Sequence, residues 1–246
     1  MFNSLTVAES DRILIVAPHP DDESVGCGGL LARYGPQCDV LLLTDGRKGG
    51  PADGSKSEDE TVLIRKAEFD AAISFFGVNN VFSLALPDSC LAENSAAVSG
   101  VDLRPYDLIF VPYRNERHPD HEAAYRILKR LWKKQRAKAK LLEYEVWSPI
   151  TSPNRFLDIS ECMNRKLAGI RLYASQTQEL NYEALAKGLN SYRGAPHHVS
   201  FCEAFFSEAA DKKEKKKAAF ACLPGWMRKT LLFFKERYQL PADPHK

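Results

Sequence analysis

Two short apolar runs, Ile13-Leu14-Ile15-Val16-Ala17 and Leu108-Ile109-Phe110-Val111, are each followed by a His-Pro-Asp segment: His19-Pro20-Asp21-Asp22-Glu23 and His118-Pro119-Asp120-His121. Uninterrupted runs of this length read as strands buried on both faces. Each His-Pro-Asp segment stands where a helix would begin, with proline suited to the first turn and acidic residues suited to its positive end. For one segment alone, a helix start is as good a reading as a site. The pair changes the weighing. Neighbouring strands of a parallel sheet would bring both segments to its carboxyl edge, where α/β proteins place their ligands.

The rest of the chain fits that frame. Strand-like segments at 12–18, 39–44, 81–84 and 107–112 alternate with helical ones at 22–34, 58–76 and 119–135. The alternation predicts an α/β fold, Rossmann-like, with a mostly parallel sheet and helices on both faces. The 58–76 helix opens on Glu58, Asp59 and Glu60, carries Val62, Phe69, Ile73 and Phe76 as a stripe, and ends at Gly77, which suits a left-handed C-terminal position. Asp45 to Ser57 is long for a plain connection and reads as a functional loop. Further strands are expected at 142–147 and 201–206, and helices at 161–174 and 177–190. Gly26, Gly28 and Gly29 fall inside the first helix, which favours close packing or a kink over phosphate binding.

Three adjacent carboxylates beside a histidine repel one another unless a cation or hydrogen bonds compensate. A catalytic zinc typically takes three protein ligands and leaves one position open. His19 and Asp22, three residues apart, face the same way around a helical turn, and His121 closes the set from the second strand. Asp21 is then a carboxylate to spare, placed to act as general base, and His118 a donor to an oxyanion or to a leaving amine.

These residues resemble the PIG-L/LmbE-like zinc-dependent de-N-acetylases, and the likeness extends over approximately residues 10–206. Leu43-Thr44-Asp45-Gly46, Arg65-Lys66-Ala67-Glu68 with Phe76-Gly77-Val78, Leu86-Pro87-Asp88, Tyr173-Ala174-Ser175-Gln176 and Cys202-Glu203-Ala204-Phe205 look like the family's later elements, in order. The resemblance implies His19, Asp22 and His121 as metal ligands, Asp21 as base, His118 as electrostatic or acid catalyst, and Arg65 and Asp88 at the sugar. It implies zinc, with ferrous iron fitting the same ligands, and removal of an acetyl group from an N-acetylglucosamine-type amino sugar, free or lipid-linked. Glu116 departs from relatives that carry a mobile tyrosine two residues before the first histidine of the second segment. For Arg65 and Glu68 the local alternative is a surface ion pair, and for Asp88 a turn residue.

The alternatives are a metal-dependent hydrolase of another bond and a non-catalytic sugar- or lipid-binding protein on the same scaffold. A formal charge of +2 gives no reason to expect a nucleic-acid partner. No apolar run approaches the ~18 residues of a membrane span. Six cysteines without a C-x-x-C pair read as reduced thiols, and the first residues lack a signal-peptide pattern. Both favour the cytoplasm. The expected domains are a deacetylase domain, 1–208, and a basic amphipathic helical extension, 209–246. The extension would touch the inner membrane face peripherally, pack on the domain, or join a homo-oligomer.

Overall fold

The computed structural model describes residues 3–208. Its sheet has seven strands in the order β3-β2-β1-β4-β5-β7-β6. They are β1 (Ile13–Ala17), β2 (Cys38–Thr44), β3 (Asn80–Leu86), β4 (Leu108–Pro112), β5 (Lys140–Tyr144), β6 (Arg155–Asp158) and β7 (Cys202–Phe206). The first five are parallel, and β7 runs antiparallel to both β5 and β6. The helices are α1 (Asp22–Tyr34), α2 (Glu58–Phe76), α3 (Pro119–Lys134), α4 (Met163–Arg171), the single turn α5 (Ala174–Thr177) and α6 (Tyr182–Gly194).

Period-2 geometry divides each apolar run between two cores. Ile13, Ile15 and Ala17 of β1, with Leu108 and Phe110 of β4, pack in one core with α1, Phe69 and Phe76 of α2, and α4. Leu14, Val16, Ile109 and Val111 point into the other, under α3 and the 91–103 segment. Burial on both sides is why these runs contain no polar residue. From β1 the chain moves outward to β2 and β3, then returns to pair β4 against the other side of β1, with Ile13 opposite Leu108. The strand order therefore reverses between β1 and β4, and the crevice outside their carboxyl ends is the switch point of the fold.

Several expectations change in the second half. The 142–147 strand lies two residues earlier, and the 161–174 helix is shorter. The 177–190 helix resolves into α5 and then α6, which starts where the Asn181 side chain accepts the Ala184 N–H. The short β6 was not foreseen. Its four residues carry no clear alternation, and pairing with β7 is what makes it a strand. The α1 glycines do mark a kink: Cys27 leaves helical geometry (φ −127°, ψ 17°). The freed N–H groups of Gly29 and Leu30 donate to Glu203 (2.7 and 3.0 Å), which also pairs with buried Lys166 (2.8 Å). A Cβ on Gly29 would lie 2.4 Å from Ile159, so close packing holds this position to glycine.

No helix of the described residues is long and apolar enough to cross a membrane. The 209–246 extension lies outside the described residues.

Candidate active site

The two His-Pro-Asp segments meet in the β1/β4 crevice by different backbone routes. His118 has extended geometry (φ −80°, ψ 126°), caps α3, and accepts the Asp120 N–H on Nδ1 (3.3 Å). Pro119 follows at the first helical position. Asp21 stands at the same place before α1 but takes φ 132° and makes no side-chain cap bond. A non-glycine residue in such a region carries strain of roughly 1–3 kcal/mol. The strained turn lets the His19 N–H donate to Asp22 Oδ2 (2.9 Å) and sends Asp21 and Asp22 toward the cleft together.

His19 Nδ1, Asp22 Oδ2 and His121 Nε2 converge. The separations are 3.2 Å between His19 and Asp22, 3.1 Å between Asp22 and His121, and 3.3 Å between the two imidazoles. Bonds of ~2.0–2.1 Å to a tetrahedral centre put ligand atoms ~3.3–3.4 Å apart, so these atoms fit three corners around a zinc-sized cation. Two other donor sets, His19–His118–His121 and His19–Asp88–Asp120, lie within 4.8 Å. In the last set, Asp120 already accepts N–H groups from Ser89 (2.7 Å) and Leu91 (3.1 Å), and Asp88 accepts from Lys48 N–H (3.1 Å). These two carboxylates instead face the outer nitrogen of His19: Nε2 lies 3.2 Å from Asp88 Oδ1 and 3.3 Å from Asp120 Oδ2. That arrangement holds a proton on Nε2 and leaves Nδ1 as the ring nitrogen that faces Asp22 and His121, the usual support for a ligating histidine. The buried Nδ1 of His121 has no such acceptor among the described residues.

Asp21 is 5% exposed. Its Oδ2 receives Arg65 Nη2 at 3.1 Å and the Tyr182 hydroxyl at 3.4 Å. Burial pushes its carboxyl up to about 8, with Arg65 opposing and Asp22 adding to the rise. Burial would raise Asp22 too, but attraction and hydrogen bonds from His121 and His19 hold it well below the usual carboxylate range. For His19 burial works downward, and hydrogen bonds to Asp120, Asp22 and Asp88 outweigh it, leaving the imidazole well above its ordinary value. His118 is lowered, first by burial and then by His19 and His121.

Arg65 is not half of a surface pair with Glu68. It is buried, donating to the carbonyls of Gly46 (2.9 Å) and Pro20 (2.7 Å) as well as to Asp21. Glu68 turns to Ser175, accepting its N–H at 2.7 Å. Arg65 and Asp88 both line the cleft with His19, Asp21, Asp22 and His118, around about 490 Å³ of space. Sequence reasoning missed Asp120, Trp147 and Tyr182. Asp120 was in view inside the second segment. The two aromatics are cleft residues that no local pattern marks. Glu116, the departure from some relatives, is 6% exposed, and Oε1 accepts the N–H groups of Val146 (3.0 Å) and Trp147 (3.1 Å).

The chain resembles known proteins in sequence and in fold. Residues 14–132 match the PIG-L family, described as GlcNAc-PI de-N-acetylase. The chain is 28% identical over 194 residues to the diacetylchitobiose deacetylase of Thermococcus kodakarensis, covering 68% of this chain and 71% of that protein. It is 26% identical over 202 residues to a probable N-acetyl-alpha-D-glucosaminyl L-malate deacetylase 2 of Bacillus subtilis, covering 74% and 90%. The crystal structure of N,N'-diacetylchitobiose deacetylase from Pyrococcus horikoshii shares the fold, with a TM-score of 0.70 at 23% identity over 81% of this chain and 84% of that one.

Proposed function

We propose that this chain belongs to the PIG-L family and is a divalent-metal-dependent hydrolase that removes the acetyl group from an N-acetylglucosamine-type amino sugar. The observation that carries the reading is the convergence of His19 Nδ1, Asp22 Oδ2 and His121 Nε2 within 3.1–3.3 Å, beside a buried carboxylate outside the set. Relatives named as deacetylases of diacetylchitobiose and of glucosaminyl malate support the substrate class. A bound zinc or ferrous ion would supply Lewis acidity toward water and the amide carbonyl.

The chain's own groups account for the proton transfers. Arg65 and Tyr182 both address Oδ2 of Asp21, which leaves Oδ1 to take a proton from the attacking water. A carboxyl raised by burial is a better base near neutral pH than an ordinary aspartate. The N–H that His118 accepts on Nδ1 puts its own proton on Nε2. With its pKa lowered it stays neutral, and its Nε2–H can donate a hydrogen bond to the developing oxyanion, while the proton that Asp21 takes from water passes to the departing nitrogen. The C–N bond breaks, and acetate and a free amine leave.

The test is direct. Protein loaded with zinc or with iron is incubated with N-acetylglucosamine and its glycosides and conjugates, and acetate and metal content are measured. About one ion per chain is expected, with acetate release that a chelator abolishes. Loaded protein that releases no acetate from any N-acetyl amino sugar would overturn the reading. Phosphate release from sugar phosphates would replace it with another hydrolysis.

A further inference from the structure

We propose that Trp147 and Tyr182 form an aromatic platform for the pyranose ring of the substrate, and that Glu116 is the positioning residue that holds Trp147 there. The proposal deepens the deacetylase reading and rests on it for the substrate. Trp147 follows β5 in a stretch without regular secondary structure, where backbone N–H groups need partners from elsewhere. Glu116 provides one, accepting both the Val146 and Trp147 N–H groups on a single buried oxygen. Glu116 lies two residues before His118. One carboxylate therefore ties the loop that delivers His118 to the segment that delivers Trp147. A shift of either would carry the other with it.

The half-buried Trp147 ring lies 5.5 Å from the Tyr182 ring, tilted by 44°. Both rings line the same cleft as His19, Asp21 and His118, and Tyr182 reaches Asp21 through its hydroxyl. A pyranose has an apolar face of C–H bonds and a rim of hydroxyls. It is recognised by an aromatic surface with polar groups beside it. Asp88, Lys48 and Gln176, in the same cleft, provide the polar groups. An acyclic N-acetyl amine offers the scissile amide without the apolar face, so the platform should separate the two substrate types.

Steady-state kinetics of metal-loaded enzyme would compare Trp147→Ala, Trp147→Phe and Glu116→Ala on a cyclic N-acetylglucosamine substrate and on an acyclic N-acetyl amine. Trp147→Ala is expected to raise KM for the sugar roughly tenfold to a hundredfold, with kcat little changed. Trp147→Phe should recover most of that loss, and the acyclic substrate should be indifferent to both changes. Glu116→Ala should reproduce the KM effect, while Glu116→Gln, which keeps an oxygen acceptor, should retain near-normal KM. Because Glu116→Ala can fail to fold, binding is also read by tryptophan fluorescence in the slow Asp21→Asn background on titration with N-acetylglucosamine. The sugar should change the signal, and Trp147→Phe should remove that change. A Trp147→Ala enzyme with unaltered sugar KM would overturn the platform while leaving the reaction standing. A normal KM in folded Glu116→Ala would overturn the positioning role. Sugar-dependent fluorescence at Trp147 without acetate release from wild-type enzyme would support the platform while removing the deacetylase reading.

Discussion

Two of the groups of charge buried in this domain are balanced differently. Beneath the kink of α1, Lys166 meets Glu203 at 2.8 Å, each about 1% exposed, and Glu203 also accepts the Gly29 and Leu30 N–H groups. One cation faces one anion, and the spare oxygen capacity is filled by backbone. At the β1/β4 crevice, Asp21, Asp22, Glu23, Asp88 and Asp120 are all 5% exposed or less, and Arg65 is the permanent cation among them. Burying an unpaired charge is costly enough that a group neutralises instead. Protons fill the deficit: burial raises Asp21 to about 8 and raises Glu23, which Ser24 and Tyr173 hold by hydrogen bonds. The first cluster is complete as it stands. The second has the deficit of positive charge that the proposed cation would fill.

The largest effect that tests this contrast is Asp21→Asn. It removes a base and keeps the shape, so activity should fall by roughly 10²–10⁴ while metal content is unchanged. Because it also removes a carboxyl from an overcrowded set, the thermal midpoint should stay level or rise. Near-normal acetate release by the variant would overturn the base, and a large loss of stability would show that this cluster is structural after all.

The complementary change is Lys166→Met. It strands Glu203 in the core, and breaking a buried pair from one side costs about 3–5 kcal/mol. The denaturation midpoint should drop accordingly, while kcat of the folded fraction stays near normal. Adding Glu203→Gln should restore part of the loss, since the amide oxygen still accepts from the α1 kink. A single variant as stable as the parent would break the comparison.

What the sequence revealed and what it concealed differ along the same line. The strands β1 and β4, the His-Pro-Asp segments and the α2 boundaries are local signals: apolar runs, a proline at a helix start, and Glu58, Asp59 and Glu60 at one end with Gly77, which adopts φ 71°, at the other. The kink in α1 was legible in its glycines. Its partner Glu203 was not, because 174 residues separate it from Gly29 and no periodicity links them. Asp120 sat in plain view, yet its task depends on a contact 101 residues away at His19. The resemblance places Arg65 at the cleft. The local alternative, an i, i+3 pair with Glu68, is reasonable on a helix surface, but tertiary packing turns the two side chains to different partners. Trp147 and Tyr182 reach the cleft from the second half of the chain, where β5, β6 and α6 were also placed least accurately.

Asp120→Asn sharpens the view of the crevice at smaller cost. The amide still accepts one N–H from the 88–91 turn but loses the charge facing His19 Nε2. Losing such a support typically weakens metal affinity 10–100-fold. Competition with a chelator of known affinity would measure it. An unchanged affinity would mean that Asp88 alone orients His19, and Asp88→Asn in the same background would then show the loss.

The smallest expected effect is thermodynamic, and it addresses the charge deficit directly. Without metal, hydrogen bonds to Asp120, Asp22 and Asp88 overcome the downward pull of burial and hold His19 well above its ordinary 6.5. The folded metal-free protein therefore keeps a proton that the unfolded chain gives up near that pH. Its contribution to stability is fully present below 6.5 and is lost as pH rises through the folded value. Asp21, raised to about 8 from 3.8, acts in the same direction, and its contribution is lost as pH rises from about 4 to about 8. A metal ion needs the Nδ1 lone pair, so loading must expel the His19 proton, and apparent affinity should increase with pH. Calorimetric titration with zinc at pH 7, in buffers of different ionisation enthalpy, should show release of about one proton or more per ion bound, declining as pH is raised. Metal binding at pH 7 with no proton release would mean that His19 is already neutral there. The crevice would then be balanced without a cation, like Lys166 and Glu203, and the distinction between the two clusters would collapse.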